Sequence, residues 1–564
     1  MLWQRKRRRD PEIAPDEIFL DASNAPDFDR ARFEGRLEKP LSERTFVSLF
    51  GVLALLFLVL LGRAWNLEIL QGAVFAAESM HNSLEITTLF APRGIITDRH
   101  GAVLAENVER EDGSVARRYP FPSLSHVIGY VSYPKKDAKG IYYDTSQTGV
   151  TGLEAYYDAL LAGKNGQLLV EKDALGKIRS EGSIVRAEAG RPLVLSLDAR
   201  LQQPFARALA AVVTNMRFIA GAGVIMDVET GAVRSLVSYP SYDANVMASG
   251  APASVIAGYH TDIGHPFLDH AAQGVYVPGS IVKPLVASGA LTDGLITPNT
   301  VIDDLGFIVI PDPYHPGKEF VYKGWRALGP VDVRKAIAWS SDIFFYTVGG
   351  GFKSQEGMGI GRLAYWYEQF GLGSPTGIDV AEEASGRIPT PAWKQATFDE
   401  PWYLGDTYFT AIGQYSVQVT PLQMARAIAA IANGGTLPVP TLLANATPVF
   451  TVIPVSPDAL RVVREGMRQA VTSALASALN VPYVKVAAKT GTAQTGTRNQ
   501  YDNSWVVGFF PYEEPQYAFA VVLERGPEGT GEQAVNVMRD LLDALYLADS
   551  PYVTGSDEPT AIAL

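Results

Sequence analysis

The chain of 564 residues contains no cysteine. That absence excludes a thiol nucleophile, a thiolate metal site and a disulfide framework. Histidine is scarce: there are seven, His81, His100, His126, His260, His265, His270 and His315, and none follows 315. No His-Glu-x-x-His occurs, and His265 and His270 are not at helical metal spacing with a Glu, so no metal site and no cofactor are expected. The histidines leave a Ser-His-Asp triad open, but nothing marks a nucleophile elbow. Basic charge is also short. The 48 Lys and Arg against 60 Asp and Glu give a net charge of −12 and a pI near 5.2. No basic surface stands ready for a phosphate backbone, so nucleic-acid binding is not expected. No glycine-rich phosphate loop is present; Gly349-Gly-Gly351 follows a helical pattern and reads as its terminus.

Long apolar runs are limited to one. Phe46 to Gly62 reads FVSLFGVLALLFLVLLG, with Ser48 its sole polar side chain. At ~1.5 Å per residue it covers about 26 Å, just short of a ~30 Å hydrocarbon core. Arg44 and Arg63 can snorkel to the headgroups, and Trp65 suits the interface. Arg30, Arg32, Arg36, Lys39 and Arg44 precede the span, with Arg5-Lys6-Arg7-Arg8-Arg9 further back, and Arg63 alone follows it closely. This asymmetry predicts a single-pass, uncleaved signal anchor in the cytoplasmic membrane, with the N-terminus cytoplasmic and the bulk of the chain outside.

Five segments follow. Residues 1–44 read as a mostly disordered cytoplasmic tail, 45–66 as the anchor, 67–190 as a small pedestal, 191–549 as the main domain and 550–564 as a flexible tail. In the pedestal, Ala91–Ala105 suggests short strands around a His100-Gly101 turn, and Gly149–Gly163 holds a short helix with Gly163 as its cap. In the main domain, Gly223–Val237 reads as a hairpin around Glu229-Thr-Gly231. A second hairpin joins Ser504–Phe510 to Tyr517–Leu523. Val484–Lys489 alternates as a strand, Ser456 reads as an N-cap, and Val535–Ala548 forms a closing helix. Helical patterns fill the middle. Strands at both ends with helices between imply an α+β fold with an antiparallel sheet.

Three short motifs stand in order: Ser280-Ile-Val-Lys283, Ser340-Ser341-Asp342 and Lys489-Thr490-Gly491-Thr492. On a helix, residues three apart share a face, so Ser280 and Lys283 bring a hydroxyl and an amine together. Each piece alone is weak. Ser-x-x-Lys recurs at Ser132-Tyr-Pro-Lys135, and Ser-x-Asp recurs at Ser196, Ser241 and Ser456. Pro278-Gly279 breaks the chain so that a helix can begin at Ser280, and Pro284 is tolerable in a first turn. A helix start offers free N–H groups to an oxyanion. Lys283 can act as general base if burial and a second cation, Lys489, depress its pKa. Ser340 can relay protons to a leaving amine, and Asp342 can orient a lysine. Lys489-Thr490-Gly491-Thr492 falls at the end of the expected strand, where Lys489, Thr490 and Thr492 can bind a terminal carboxylate and Gly491 permits close approach. The N–H groups of Ser280 and Thr492 are the expected oxyanion donors.

The chain resembles the class B penicillin-binding proteins, nearest the penicillin-binding protein 2 group of cell elongation. The resemblance extends beyond the trio to Arg93-Gly94, Asp98-Arg99, Gly152-Leu153-Glu154, Tyr276-Val-Pro-Gly-Ser-Ile-Val-Lys-Pro284, Ala338–Tyr346, Thr376-Gly-Ile-Asp379, Gly413-Gln414, Thr420-Pro-Leu-Gln423 and Ala432-Asn433. It implies a penicillin-binding, beta-lactamase-like transpeptidase domain. Ser280 would attack the D-Ala-D-Ala bond of a peptidoglycan stem peptide, and an amine of a neighbouring stem would take the acyl group. Beta-lactams would act as inhibitors, and a SEDS-type glycan polymerase would be the membrane partner. The head subdomain usual in this family is shortened, since about a dozen residues separate Asn107 from Tyr119. Two other functions on the same fold stay open: a membrane-bound beta-lactam hydrolase, with Glu400 as a conceivable base for water, and a beta-lactam sensor or scaffold.

Overall fold

The computed structural model describes residues 43–75, 84–109, 115–138, 142–172, 178–312, 315, 317–380, 382–496 and 500–554. The tail expected over 1–44 lies almost wholly outside them. Helix α1, Glu43–Trp65, buries none of its side chains. Its 23 residues reach ~35 Å at 1.5 Å each, longer than the apolar run alone and enough for a ~30 Å core. The Ser48 hydroxyl donates to the Arg44 carbonyl at 2.7 Å, so the one polar group of the run is satisfied inside the helix.

The larger unit comprises residues 86–169 and 181–564. Its main helices are α2 (Ala199–Asn215), α3 (Lys283–Thr292), α4 (Asp342–Gly350), α5 (Pro421–Ala432), α6 (Pro457–Ser473) and α7 (Ala534–Leu547). Five strands, β1 (Ala220–Asp227), β2 (Val233–Tyr239), β3 (Ala487–Thr495), β4 (Tyr501–Phe510) and β5 (Tyr517–Pro527), form one sheet in the order β2-β1-β5-β4-β3. Every pairing is antiparallel.

Side chains alternate across this sheet with the period of two that strands impose. Ala518, Ala520 and Val522 face one core with α5, whose residues are all buried. Phe519, Val521 and Leu523 face the other core with α2 and α7. The Phe205 ring of α2 closes onto β1 because residue 223 is glycine; a Cβ there would sit 2.2 Å from the ring's Cζ. The Thr420-Pro-Leu-Gln423 stretch forms a capping box. The Thr420 hydroxyl accepts from the Gln423 N–H at 3.1 Å, and the Gln423 side chain accepts from the Thr420 N–H at 3.0 Å. Ser456 takes the N-cap position of α6 without a capping side-chain bond.

Two local expectations change. Strand β3 does not stop at Lys489 but runs to Thr495, in register from Ala487↔Phe509 to Thr495↔Tyr501. Its polar, glycine-bearing second half has no strand pattern of its own; pairing with β4 supplies it. Residues 550–554 are packed rather than loose. Pro551–Thr554 forms a helical turn, and the buried Tyr552 hydroxyl donates to Asp198 at 3.1 Å.

Leu193–Val194, just past the expected boundary at 190, joins the pedestal strands Ile96–Thr97, Val103–Glu109 and Val115–Arg118 in a four-stranded sheet. Asp98 accepts from the N–H groups of His100 and Ala102, both at 2.8 Å, and so closes the turn at Gly101. Glu106↔Arg118 to Glu109↔Val115 pair as an antiparallel hairpin. Beneath it, Glu154 is fully buried between two arginines, 2.5 Å from Arg93 Nε and 2.7 Å from Arg117 Nε. Asp379 ties this layer to the main domain by accepting from Tyr157 at 3.1 Å and from the Leu442 N–H at 2.6 Å.

Candidate active site

Gly279 to Val282 forms a 3-10 turn that leads directly into α3, with Pro284 in its first turn. The structure therefore sets Ser280 in the tighter turn and Lys283 at the first α-helical position. Gly279 adopts φ +58°, and its N–H donates to the Gly413 carbonyl at 2.9 Å. The edge strand β3 runs alongside. A Cβ at Gly491 would sit 2.9 Å from Ile281 Cγ2 and 3.1 Å from the Pro278 carbonyl, so glycine is what lets the strand lie against the serine-bearing turn. Gln414 closes that side, donating to the Thr492 carbonyl at 3.3 Å.

Ser340 takes a left-handed conformation, φ +57°. Such backbone costs about 1–3 kcal/mol and needs support from its surroundings. The support is visible one residue on. Ser341 caps α4, accepting from the Phe344 N–H at 3.0 Å and donating to Asp304 at 2.6 Å. The bend presents both the carbonyl and the hydroxyl of Ser340 to Lys283 Nζ, at 2.8 and 3.2 Å. Of the serine pair, the first faces the site and the second holds the turn.

Two lysines meet at Ser340. Lys283 Nζ also donates to Asp342 at 2.7 Å, and Lys489 Nζ donates to Ser340 Oγ at 2.9 Å and to the Thr490 carbonyl at 2.6 Å. Both ammonium stems are buried. Burial lowers the Lys283 pKa against the opposing pull of Asp342. Burial and then the neighbouring Lys283 lower Lys489 to about 7. Burial thus draws both amines down from the ordinary lysine range, which favours their taking part in proton transfer.

Ser280, Ser340, Asp342, Gly491 and Thr492 line one cleft of about 370 Å³, together with Trp325, Gln414 and Glu532. All eight expected site residues belong to this assembly, with Lys283, Lys489 and Thr490 forming its buried floor. Glu532 was not foreseen. Its carboxylate accepts from Thr490 Oγ1 at 2.8 Å, and burial raises its pKa. It lies on the connection between β5 and α7 and belongs to no motif. Asp304 carries no signal either, because its role exists only through Ser341. Glu400 pairs with Lys394 at 3.5 Å and does not line the cleft. The competing Ser132-Tyr-Pro-Lys135 spans two short pedestal strands, Val131–Ser132 and Lys135–Lys136, the second exposed. Among the described residues, no three His, Asp or Glu side chains converge as metal ligands.

Comparison with known proteins agrees with this architecture. Residues 221–543 match the penicillin binding protein transpeptidase domain, and 111–195 match the penicillin-binding protein dimerisation domain. Peptidoglycan D,D-transpeptidase MrdA of Escherichia coli is 32% identical, over 92% of this chain and 96% of its own. A solved chain from a peptidoglycan synthase complex, reported for its coordination of polymerization and crosslinking, superposes with a TM-score of 0.70 at 29% identity, covering 92% of this chain and 99% of that one. Penicillin-binding protein 2 of Helicobacter pylori, solved in complex with MreC, gives a TM-score of 0.68 at 27% identity, covering 82% and 99%.

Proposed function

Because the chain belongs to the penicillin-binding protein family, in the penicillin-binding protein 2 group of peptidoglycan D,D-transpeptidases, we propose that Ser280 is the nucleophile of a two-step acyl transfer that cross-links stem peptides. The enzyme is a serine acyl-transferase of cell-wall synthesis. The observation that carries the residue assignment is the convergence of two buried lysines on Ser340, in the cleft that Ser280 lines.

In acylation, neutral Lys283 takes the Ser280 proton as Oγ attacks the penultimate D-Ala carbonyl. The oxyanion is received by the N–H groups of Ser280 and Thr492, and losing one such donor costs ~3 kcal/mol. The amide C–N bond then breaks, and the proton returns through Ser340 Oγ to the departing D-Ala nitrogen. An acceptor amine of a second stem reverses the sequence and takes the acyl group, leaving Ser280 free. Lys489 and Thr492 favour the ligand carboxylate, and the outer edge of β3 pairs with the stem backbone. In a beta-lactam the ring C–N bond breaks instead and the leaving nitrogen stays tethered.

Ser340→Ala removes the oxygen shared by both amines. Acylation by a fluorescent penicillin is expected to slow by about 10²- to 10³-fold with folding retained. Stopped-flow labelling checks this, and a change below about threefold counts against the relay. Acylation by the wild type should rise with pH across the region below the ordinary lysine range, as Lys283, lowered by burial, loses its proton, and then level. A rate that is flat across that region contradicts lysine as base.

Helix α1 and the family relationship make this a membrane-anchored enzyme. We infer an inward N-terminus and an extracytoplasmic catalytic domain, supported by the Lys and Arg bias before the span. A SEDS-type glycan polymerase beside α1 is the partner this arrangement suits. Since the chain has no cysteine, topology can be read without background. A membrane-impermeant maleimide should label Glu229→Cys in spheroplasts, and Asp10→Cys only after permeabilisation. The reverse pattern overturns the orientation.

A further inference from the structure

Glu532 is the one carboxyl in the cleft that the acyl-transfer scheme leaves without a task, and it sits on a residue of the Lys489-Thr490-Gly491-Thr492 motif. Its position is built rather than accidental. The connection carrying it is pinned before Glu532 by the Gly529 N–H donating to Asp502 at 2.8 Å. Beyond it, the Ala534 N–H donates to the Ser504 hydroxyl at 3.0 Å. Within the connection, Gln533 donates to the Thr530 carbonyl at 2.8 Å. Between these anchors Glu532 reaches down to Thr490, which is 1% exposed.

A hydroxyl has a single hydrogen to give. Thr490 gives its hydrogen to Glu532 at 2.8 Å, so an incoming carboxylate must compete with Glu532 for it. Lys489 and Thr492 are the carboxylate receptors of the motif free of that competition. A carboxylate group also stands at the cleft wall where a ligand anion must arrive. The charged groups around it are Lys489 on β3, Lys283 on α3 and Asp342 on α4. Glu532 adds a second carboxyl to that of Asp342, opposite the two lysine amines, before any ligand enters. Without it Asp342 alone would oppose the two amines.

We propose that Glu532 is a specificity-determining residue: by engaging Thr490 and opposing the lysines, it sets how weakly the cleft favours a carboxylate-bearing ligand over its uncharged analogue. The ligand class is acyl donors with a carboxylate beside the scissile amide, which includes penicillins. This inference rests on the assignment of Ser280 as the acylated residue.

The experiment compares acylation of the full-length, detergent-solubilised protein by benzylpenicillin and by its methyl ester at about pH 8, chosen well above the ordinary carboxyl range because burial raises Glu532. Adducts are quantified by intact mass. Glu532→Gln keeps an oxygen to accept from Thr490 and removes the charge; Glu532→Ala removes both. Glutamine should raise the penicillin rate by about 10-fold while the ester rate stays within about twofold. Alanine should raise the penicillin-to-ester ratio at least as far. A variant that is merely damaged slows both ligands together and leaves the ratio unchanged. An unchanged or reduced ratio in both variants overturns the inference. Absence of any adduct on Ser280 in the wild type overturns instead the assignment beneath it, so the two failures are distinguishable.

Discussion

Replacing Lys283 by glutamine is expected to slow penicillin acylation of Ser280 by about 10³-fold, within the 10²–10⁴ range of a positioned general base. Lys283 is fully buried one turn from the nucleophile, and its ammonium is destabilised by that burial. A neutral amine held against Ser340 by bonds of 2.8 and 3.2 Å is ready to accept a proton and to pass it on. Asp342, at 2.7 Å, limits how far the pKa falls, so the site balances orientation against basicity. Lys283→Arg is the sharper variant. It keeps the cation for Asp342 but cannot be deprotonated, so it should fail nearly as badly as glutamine. Rapid-mix labelling with a fluorescent penicillin measures both. Arginine retaining the wild-type rate within tenfold would mean that Lys283 serves as a fixed charge and that another group is the base.

Glu154→Ala is expected to cost the pedestal about 3–5 kcal/mol, the range seen when one member of a buried ion cluster is removed. Glu154 is wholly buried and shared by Arg93 and Arg117. Arg93 also donates to the Glu154 carbonyl at 2.9 Å and to Asp158 at 2.7 Å. Arg117 donates to the Gly94 carbonyl at 2.7 Å. Alanine leaves two buried guanidinium groups facing each other without their common anion. Glutamine retains the acceptor oxygen on one side and should cost less. Thermal and urea unfolding of the purified protein, followed by pedestal tryptic sensitivity, reports the loss. A loss below about 1 kcal/mol would mean that Asp158 and the carbonyls alone hold the arginines. Because the Asp379 bonds bridge the pedestal to the main domain, penicillin acylation measures whether the damage spreads.

The sequence made some of this legible and hid the rest for physical reasons. Apolar periodicity is local, so the membrane run, both hairpins and the closing helix can be read directly. The motif trio is legible because each piece is a short, fixed spacing on one element. What brings the pieces together is not local. Thr490 and Glu532 are 42 residues apart and meet through the β5–α7 connection, which has no pattern of its own. Ser341 reads as a companion of Ser340, but it is the cap that holds the turn and depends on Asp304, 37 residues upstream. Lys489 reads as a strand end because Thr490 to Thr495 is polar. As part of an edge strand paired on one side only, that stretch leaves its outer backbone groups for a peptide. In sequence Glu154 is marked only by the family resemblance of Gly152-Leu153-Glu154; its burial emerges when the two arginines that enclose it are brought in from 37 and 61 residues away.

The measurement that bears most directly on the central claim is peptide mapping of the full-length protein after brief exposure to a fluorescent penicillin, with Ser280→Ala alongside. The assignment made here requires one adduct, on the peptide containing Ser280, persisting for many minutes, and none on the alanine variant. An adduct on another residue, or equal labelling of Ser280→Ala, would contradict Ser280 as the nucleophile. An adduct on Ser280 that is lost within seconds would make the protein a hydrolase of beta-lactams.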